Sequence, residues 1–466
     1  MKSFLSALFI FITLSLKAQD MPIRLPAILS DHAVLQQSTE VKLWGWGPST
    51  RNIAVVASWA PNDTVKALVA TDCTWHTIIR TPKAGGLYTI SFINGQDKVT
   101  ISDISLGEVW LCSGQSNMEL RCDADLLDSG DALKAPRNNE IRFFQVENSY
   151  DIYPRSDCKG KWVVCDSSSL KNFSAVGYFF GNNLQKALKV PVGLISASLG
   201  ATSIQPWMPK EAFENEEQLQ AQSHFGTAWA PQGTSILYNA MIHPLTPYSL
   251  SGVIWYQGES NALAMPEAKM YGSLLKNLIQ SWRVKFENDF PFYYVQIAPF
   301  DGYYPKDAAA YLREQQEIAL DLPNTGMVSI GDLVDNIKDI HPRLKAAVGN
   351  RLANLVLKEQ YHFSDLQSYS PRFSKMEIDK QAAHISVSSI GKLTCKEAEI
   401  KSFQVAGNDQ VFYHAKATIS RNGEIIIQCE NVLSPVAVRY CFSNEEMPNL
   451  FDTNGLPLMP FRTDTW

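Results

Sequence analysis

Three textures of apolar and polar residues follow one another along this chain. Over residues 22–105, short alternating or apolar segments (EVKLWGW, NIAVVASW, WHTIIRT, YTISFI) are separated by clusters of Gly, Pro, Asn and Asp. Period-two alternation with such punctuation predicts short strands with one buried face, assembled into a small β-sandwich-like domain. From 106 to 360 the segments EVWLCS, VPVGLISAS, SGVIWYQ and FPFYYVQIA are apolar along nearly their whole length, which predicts strands covered on both faces. Between and after them, FSAVGYFFGNNLQKAL, a stretch ending in YGSLLKNLIQSWRVKF, YLREQQEIAL and RLKAAVGNRLANLVL carry apolar residues at helical spacing. This alternation predicts an α/β domain, a parallel sheet flanked by helices. Beyond 361, HISVSS, ATISRNG, EIIIQC and VAVRYCF predict a C-terminal β-rich, sandwich-like region through 466, with Arg421-Asn422-Gly423 as a hairpin turn.

The amino terminus departs from all three textures. Met1-Lys2 is followed by an apolar run from Phe4 to Leu16 and by small Ala18, the pattern of a signal peptide over 1–18. The run is short for a bilayer span, and no later segment is long and apolar enough to be one, so the expectation is an exported protein, secreted or periplasmic, with no membrane span after cleavage. With 45% hydrophobic and 19% charged residues and a net charge of −6, the composition is that of a globular protein, and no basic run could track phosphates. Nucleic acid is thereby excluded as an expected partner. Export permits disulfides, and of eight cysteines Cys158 and Cys165, or Cys429 and Cys441, lie where they could pair. No CxxC spacing is present, so no metal is expected.

Chemistry concentrates at four strand ends of the middle region. Gly114-Gln115-Ser116-Asn117-Met118 follows the strand EVWLCS. A serine at a strand-to-helix turn is exposed at the edge of a parallel sheet, with backbone N–H groups that can stabilise developing negative charge. A hydroxyl needs a base, and Asp339-Ile340-His341-Pro342 supplies an imidazole on a loop ahead of a helix, with Pro342 suited to its first turn and a carboxylate two residues away. Gly200 after VGLISAS can bring a backbone N–H to the same oxygen, and Gln257-Gly258-Glu259-Ser260-Asn261 after SGVIW brings amide side chains. Each is weak alone, since a serine after a strand is commonly a helix cap and a glycine there is ordinary turn chemistry. Together they compose an acyl-transfer site: nucleophile, base and oxyanion donors.

Taken in order, GQSNM, the Gly200 region, YQGESN and DIHP resemble the signature blocks of the SGNH-hydrolase superfamily, and more closely its sialate O-acetylesterase family. DHAVLQQ, GEVWLCSGQSNME, FSAVGYFFGNNL, YNAMIHPL and PFYYVQIAP extend the resemblance over nearly the whole chain. It implies Ser116 as nucleophile and His341 as base. The oxyanion hole would comprise the N–H groups of Ser116 and Gly200, completed by Gln257 or Asn261. It also implies an acetylated sugar or glycan as substrate, sialic acid or a plant polysaccharide such as xylan, and no cofactor. Many members place an Asp three residues before the histidine, where this chain has Lys338; Asp339 could orient the imidazole instead, with Asp335 as a substitute. Gln115, Glu259, Arg121 and Trp207 are candidate substrate-binding residues, and Trp255, Tyr256, Tyr303 and Tyr304 are further candidates for stacking on a sugar. A non-catalytic glycan-binding protein is the alternative from another class. The sequence leaves oligomeric state open.

Overall fold

The computed structural model describes residues 21–130, 132–134, 137–213, 232–388 and 391–466. The run read as a signal peptide lies outside them. Among the described residues no helix is long and apolar enough to cross a membrane.

The chain opens with β1 (Val34–Gln36), β2 (Glu40–Trp46), β3 (Asn52–Ala57), β4 (Thr64–Leu68), β5 (Thr74–Arg80), β6 (Gly85–Asn94) and β7 (Asp97–Gly114). The β2–β5 pair faces an antiparallel ladder of β4, β3, β6 and the first half of β7. Val41 and Leu43 of β2, Ile53 and Val55 of β3, Trp75 of β5 and Phe92 of β6 point inward from alternate positions, as period-two strands require.

β7 has two halves. Up to Ser102 its residues alternate between buried and solvent-facing; from Ile104 to Gly114 every residue is buried. The change marks the point where β7 leaves β6, antiparallel, and enters a parallel sheet with β8 (Asn138–Gln145), β10 (Val192–Ser198), β11 (Gly252–Tyr256), β12 (Phe292–Val295) and β13 (Thr325–Val328), while β9 (Trp162–Cys165) runs antiparallel at one edge. The order is β13-β12-β11-β7-β10-β8-β9. β7 thus runs unbroken through residues 105 and 106, where the sequence suggests a boundary.

Among the described residues six α-helices accompany this sheet: α1 (Ser116–Glu119), α2 (Ser167–Lys171), α3 (Ala175–Leu188), α4 (Met265–Phe286), α5 (Ala308–Ile318) and α6 (Lys345–Glu359). Trp110 and Cys112 of β7 and Ile254 and Tyr256 of β11 cluster with Phe180 of α3 and Leu352 of α6. Their neighbours Val109, Leu111, Val253 and Trp255 cluster on the other face with Leu275 and Trp282 of α4 and Leu312 of α5. Each such side chain contributes about 1.5–3 kcal/mol by leaving water, which is why these strands read as unbroken apolar runs. Five strands of these two regions were not among the segments singled out in the sequence: β1, β4, β8, β9 and β13. β8 begins Asn-Asn-Glu and contains Arg142, buried because its guanidinium pairs with Asp103 at 2.9 Å.

The C-terminal region folds into two four-stranded antiparallel sheets and a two-stranded one around a core that includes Phe403, Val405, Val438, Tyr440 and Leu458. The Arg421-Asn422-Gly423 turn joins Lys416–Ile419 to Ile425–Gln428 as expected. This region grips α5: Arg462 makes a two-pronged pair with Glu314 (2.7 and 3.1 Å), and Asn444 Oδ1 accepts from the Ala309 N–H (2.9 Å), one of the donors a helix start leaves open. All eight cysteines are free, contrary to the suggested pairings. Cys158 is buried in one face's core and Cys165 in the other's, while Cys441 sits inside the C-terminal core and Cys429 at its margin.

The chain lays β10 beside β7, then crosses to place β11 on the other side of β7. Connections leaving a strand in opposite directions open a crevice at its carboxyl end. There the Leu199 N–H donates to the Gly114 carbonyl (3.1 Å) and the Gln115 N–H to the Tyr256 carbonyl (3.0 Å), tying three strand ends together. Gly114 has φ +138°, and a Cβ on it would stand 2.1 Å from the Tyr256 oxygen. Gly114→Ala is therefore expected to lower stability by about 2–4 kcal/mol through backbone strain and overpacking; urea denaturation of wild type and variant measures it, and an unchanged midpoint contradicts the account.

Candidate active site

Ser116 follows this turn as the first residue of α1, half-buried, and its backbone N–H makes no hydrogen bond within the described residues. Its Oγ lies 2.9 Å from His341 Nε2, although 225 residues separate the two in sequence. The loop carrying His341 is held at several points. Arg343 binds Asp335 through its N–H (2.9 Å) and its guanidinium (2.7 Å), the Asp339 N–H reaches the Asn336 carbonyl (3.0 Å), and the Ile340 carbonyl accepts from Asn117 Nδ2 (3.1 Å). The following helix starts at Lys345 rather than at Pro342, and its first N–H groups are capped across space by Asp128 Oδ2, which accepts from Ala346 and Ala347 (2.9 and 3.2 Å). Burial, aided by the Lys345 ammonium and opposed by Asp339, holds the His341 pKa below its ordinary 6.5, so at neutral pH the ring is in its proton-accepting form.

Asp339 stands beside the imidazole, but loosely. Its Oδ1 accepts from the His341 backbone N–H at 2.9 Å and lies 3.6 Å from Nδ1, beyond hydrogen-bonding distance. Asp335 is engaged by Arg343 instead. Gly200 packs against the Ser116 turn, where a Cβ on it would be 3.3 Å from Ser116 Cβ. Its N–H, however, donates to Glu119 Oε2 (2.6 Å), and the other oxygen of that carboxylate accepts from Asn148 Nδ2 (2.8 Å). The Gly200 donor is thus occupied by the protein's own carboxylate.

Several expected site residues face away from the crevice. Gln257 is fully buried, and the two hydrogens of its Nε2 have three acceptors in reach: the Thr202 carbonyl (3.1 Å), Asn261 Oδ1 (2.8 Å) and Gln115 Oε1 (3.1 Å). Asn261, also fully buried, gives its amide hydrogens to Gln205 (3.1 Å) and Glu267 (2.8 Å). Neither has a hydrogen left for an oxyanion; the two amides brace the floor of the site. Gln115 belongs to the same brace, its Oε1 also accepting from the N–H groups of Gly258 (3.4 Å) and Ser260 (3.3 Å). Glu259 is buried against Asn117. Trp207 is a core residue, fully buried, its ring meeting Trp255 edge-on at 6.2 Å and its Nε1 donating to Thr202 Oγ1 (3.0 Å). These five are corrections to the substrate-facing and oxyanion roles read from sequence: Gln257, Glu259 and Asn261 turn inward toward buried polar partners, Gln115 accepts from the same block, and Trp207 packs on Trp255. Trp255, Tyr256 and Tyr303 are buried too, whereas Tyr304 is 79% exposed. Arg121 is exposed, within 3.4 Å of Asn172 and 3.3 Å of Asp123.

Three residues that the sequence did not single out complete the arrangement: Glu119 on Gly200, Asn117 under the His341 loop, and Lys345, fully buried, whose Nζ donates to Asn117 Oδ1. One signal for Lys345 is present in the sequence, a lysine in the first turn of a helix, where the dipole disfavours it.

The profile of a family described as carbohydrate esterase, sialic acid-specific acetylesterase matches residues 106–358. A crystal structure of a carbohydrate acetylesterase from Xanthomonas citri is similar over 95% of this chain and 100% of its own, with 32% identity and a TM-score of 0.86. The sialate O-acetylesterase of Pongo abelii is 25% identical over alignments covering 94% of this chain and 92% of its own, and that of Homo sapiens 26% identical, covering 82% and 80%. The chain belongs to the sialic acid-specific acetylesterase family of carbohydrate esterases.

Proposed function

We propose that this protein hydrolyses O-acetyl esters on carbohydrates through an acetyl-enzyme on Ser116, with acetylated sialic acid the first substrate to consider. The 2.9 Å contact between Ser116 Oγ and His341 Nε2 carries the reading. As Oγ attacks the acetyl carbonyl, its proton passes to Nε2, and the new oxyanion is met by the Ser116 N–H, joined by Gly200 when Glu119 withdraws. Collapse expels the sugar oxygen, which takes the proton from Nε2. Water then gives a proton to Nε2 and its oxygen to the acetyl carbon; acetate leaves and the proton returns to Ser116 Oγ. The base operates as a Ser-His pair with Asp339 as a nearby charge, since 3.6 Å is too long for the fixed carboxylate-imidazole bond of a full triad. The relatives named sialate O-acetylesterases support sialic acid as substrate; the Xanthomonas citri relative, named only a carbohydrate acetylesterase and more similar in sequence, supports the wider class. Export is part of the same reading, supported by the apolar run after Lys2.

Acetate release from mono-acetylated sialic acid and from acetylated xylan, measured side by side, decides the substrate. Ser116→Ala is expected to lower kcat on an acetyl ester by at least about 10³-fold, and equal rates for the two proteins end the proposal. Asp339→Asn keeps the bond to the His341 N–H and removes the charge; its loss in kcat is expected to stay under about 10²-fold, against about 10⁴ where a buried Asp grips the ring. Because the unprotonated imidazole is the active form and its pKa is depressed, the acid limb of kcat/KM is expected to have its midpoint below the ordinary 6.5. A midpoint above that value contradicts the assignment of His341.

A further inference from the structure

Lys345, four residues beyond His341, opens α6 with its side chain fully buried, and no step above uses it. A buried ammonium is strongly unfavourable unless its surroundings compensate, and here they do so in a directed way. Nζ donates to Asn117 Oδ1 and stands 5.3 Å from the centre of the Tyr256 ring. The Asn117 amide donates onward to Glu259 Oε1 and to the Ile340 carbonyl, one residue before the base. Glu259 is 1% exposed, and its Oε2 makes no hydrogen bond within the described residues. One amide, adjacent to the nucleophile in sequence, therefore joins a buried cation, a buried acid and the backbone of the histidine loop.

We infer that Lys345 is a positioning residue for the base: through Asn117 it fixes the loop bearing His341 against the serine turn, and it sets a buried positive charge behind the imidazole. The inference rests on the roles proposed for Ser116 and His341. Four carboxylates face the ammonium: Glu259 from the end of β11, Asp128 from the segment after α1, and Asp335 and Asp339 from its own loop; burial outweighs them and brings the Lys345 pKa down to about 7. Below that pH, where His341 titrates, Lys345 is charged and opposes formation of the imidazolium, while Asp339 favours it. Held this way the ring remains a base in mildly acidic solution, and its loop does not have to be ordered anew in each turnover.

Two variants separate the parts. Lys345→Gln can still donate to Asn117 Oδ1 but carries no charge; Lys345→Met fills the space and does neither. With p-nitrophenyl acetate, kcat and KM are measured across pH, and circular dichroism checks the fold. In both variants the acid limb of kcat/KM is expected to move to higher pH by about half to one pH unit. The plateau kcat is expected to fall roughly tenfold in Lys345→Met and less in Lys345→Gln, with KM within about twofold of wild type. A folded variant pair with an unmoved limb overturns the inference, and so does unfolding of both, which makes Lys345 a stability residue only. Activity that survives Ser116→Ala removes the underlying mechanism instead; activity that depends on Ser116 with an unmoved limb removes the role of Lys345 alone.

Discussion

The backbone contact between the ends of β7 and β11 is the constraint on which the site depends. At Gly114 the two strands approach so closely that only hydrogen fits, and the resulting left-handed turn throws Ser116 clear of the sheet. The Gln115–Tyr256 and Leu199–Gly114 bonds lock the same corner from both sides. Because β10 and β11 flank β7, strand pairing delivers the turns bearing Gly200 and Gln257 to it. Only the histidine loop must be brought in from elsewhere, and α6, packed against α3 on one face of the sheet, carries it there.

Beneath this corner the protein keeps polar groups that a stability argument alone would not place there. Gln115, Gln257, Asn261, Gln205 and Glu267 form one buried hydrogen-bonded layer; Asn117, Glu259 and Lys345 form another. Desolvating a charge pair returns little net free energy even when the geometry is good, and Glu259 and Lys345 meet through an amide. What such a layer supplies is direction. The bonds these side chains make restrict each to few arrangements, and so restrict the strand ends and the loop above them too.

Much of this was legible in the sequence, and what was not has a common physical origin. β7, β10, β11 and β12 announced themselves as apolar runs because both of their faces are buried, and α3 to α6 did so by helical spacing. The meeting of Ser116 with His341 was legible because each sits in a turn whose local chemistry is written in adjacent residues. The orientation of an amide is different, since it depends on residues far away in the chain. Gln257 looks like an oxyanion donor until the Thr202 carbonyl and Tyr271, whose hydroxyl donates to its Oε1 at 2.7 Å, are seen to hold it inward. Trp207 follows the same rule, and so does β8, whose one buried arginine hides an otherwise ordinary strand until Asp103 is found beside it. Lys345 was not singled out, for the same reason.

β7 also bears on how the protein could be divided. Its first half belongs to the N-terminal ladder and its second half to the catalytic sheet, with Val34–Gln36 paired alongside Ser105–Gly107 where the two meet. A cut or a cloning junction placed near residue 105 severs the one strand common to both sheets and exposes raw edges on each side. The amino-terminal region is in this sense a length of the enzyme's own scaffold and not a detachable module, and its hinge freedom relative to Ser116 is that of a continuous peptide strand.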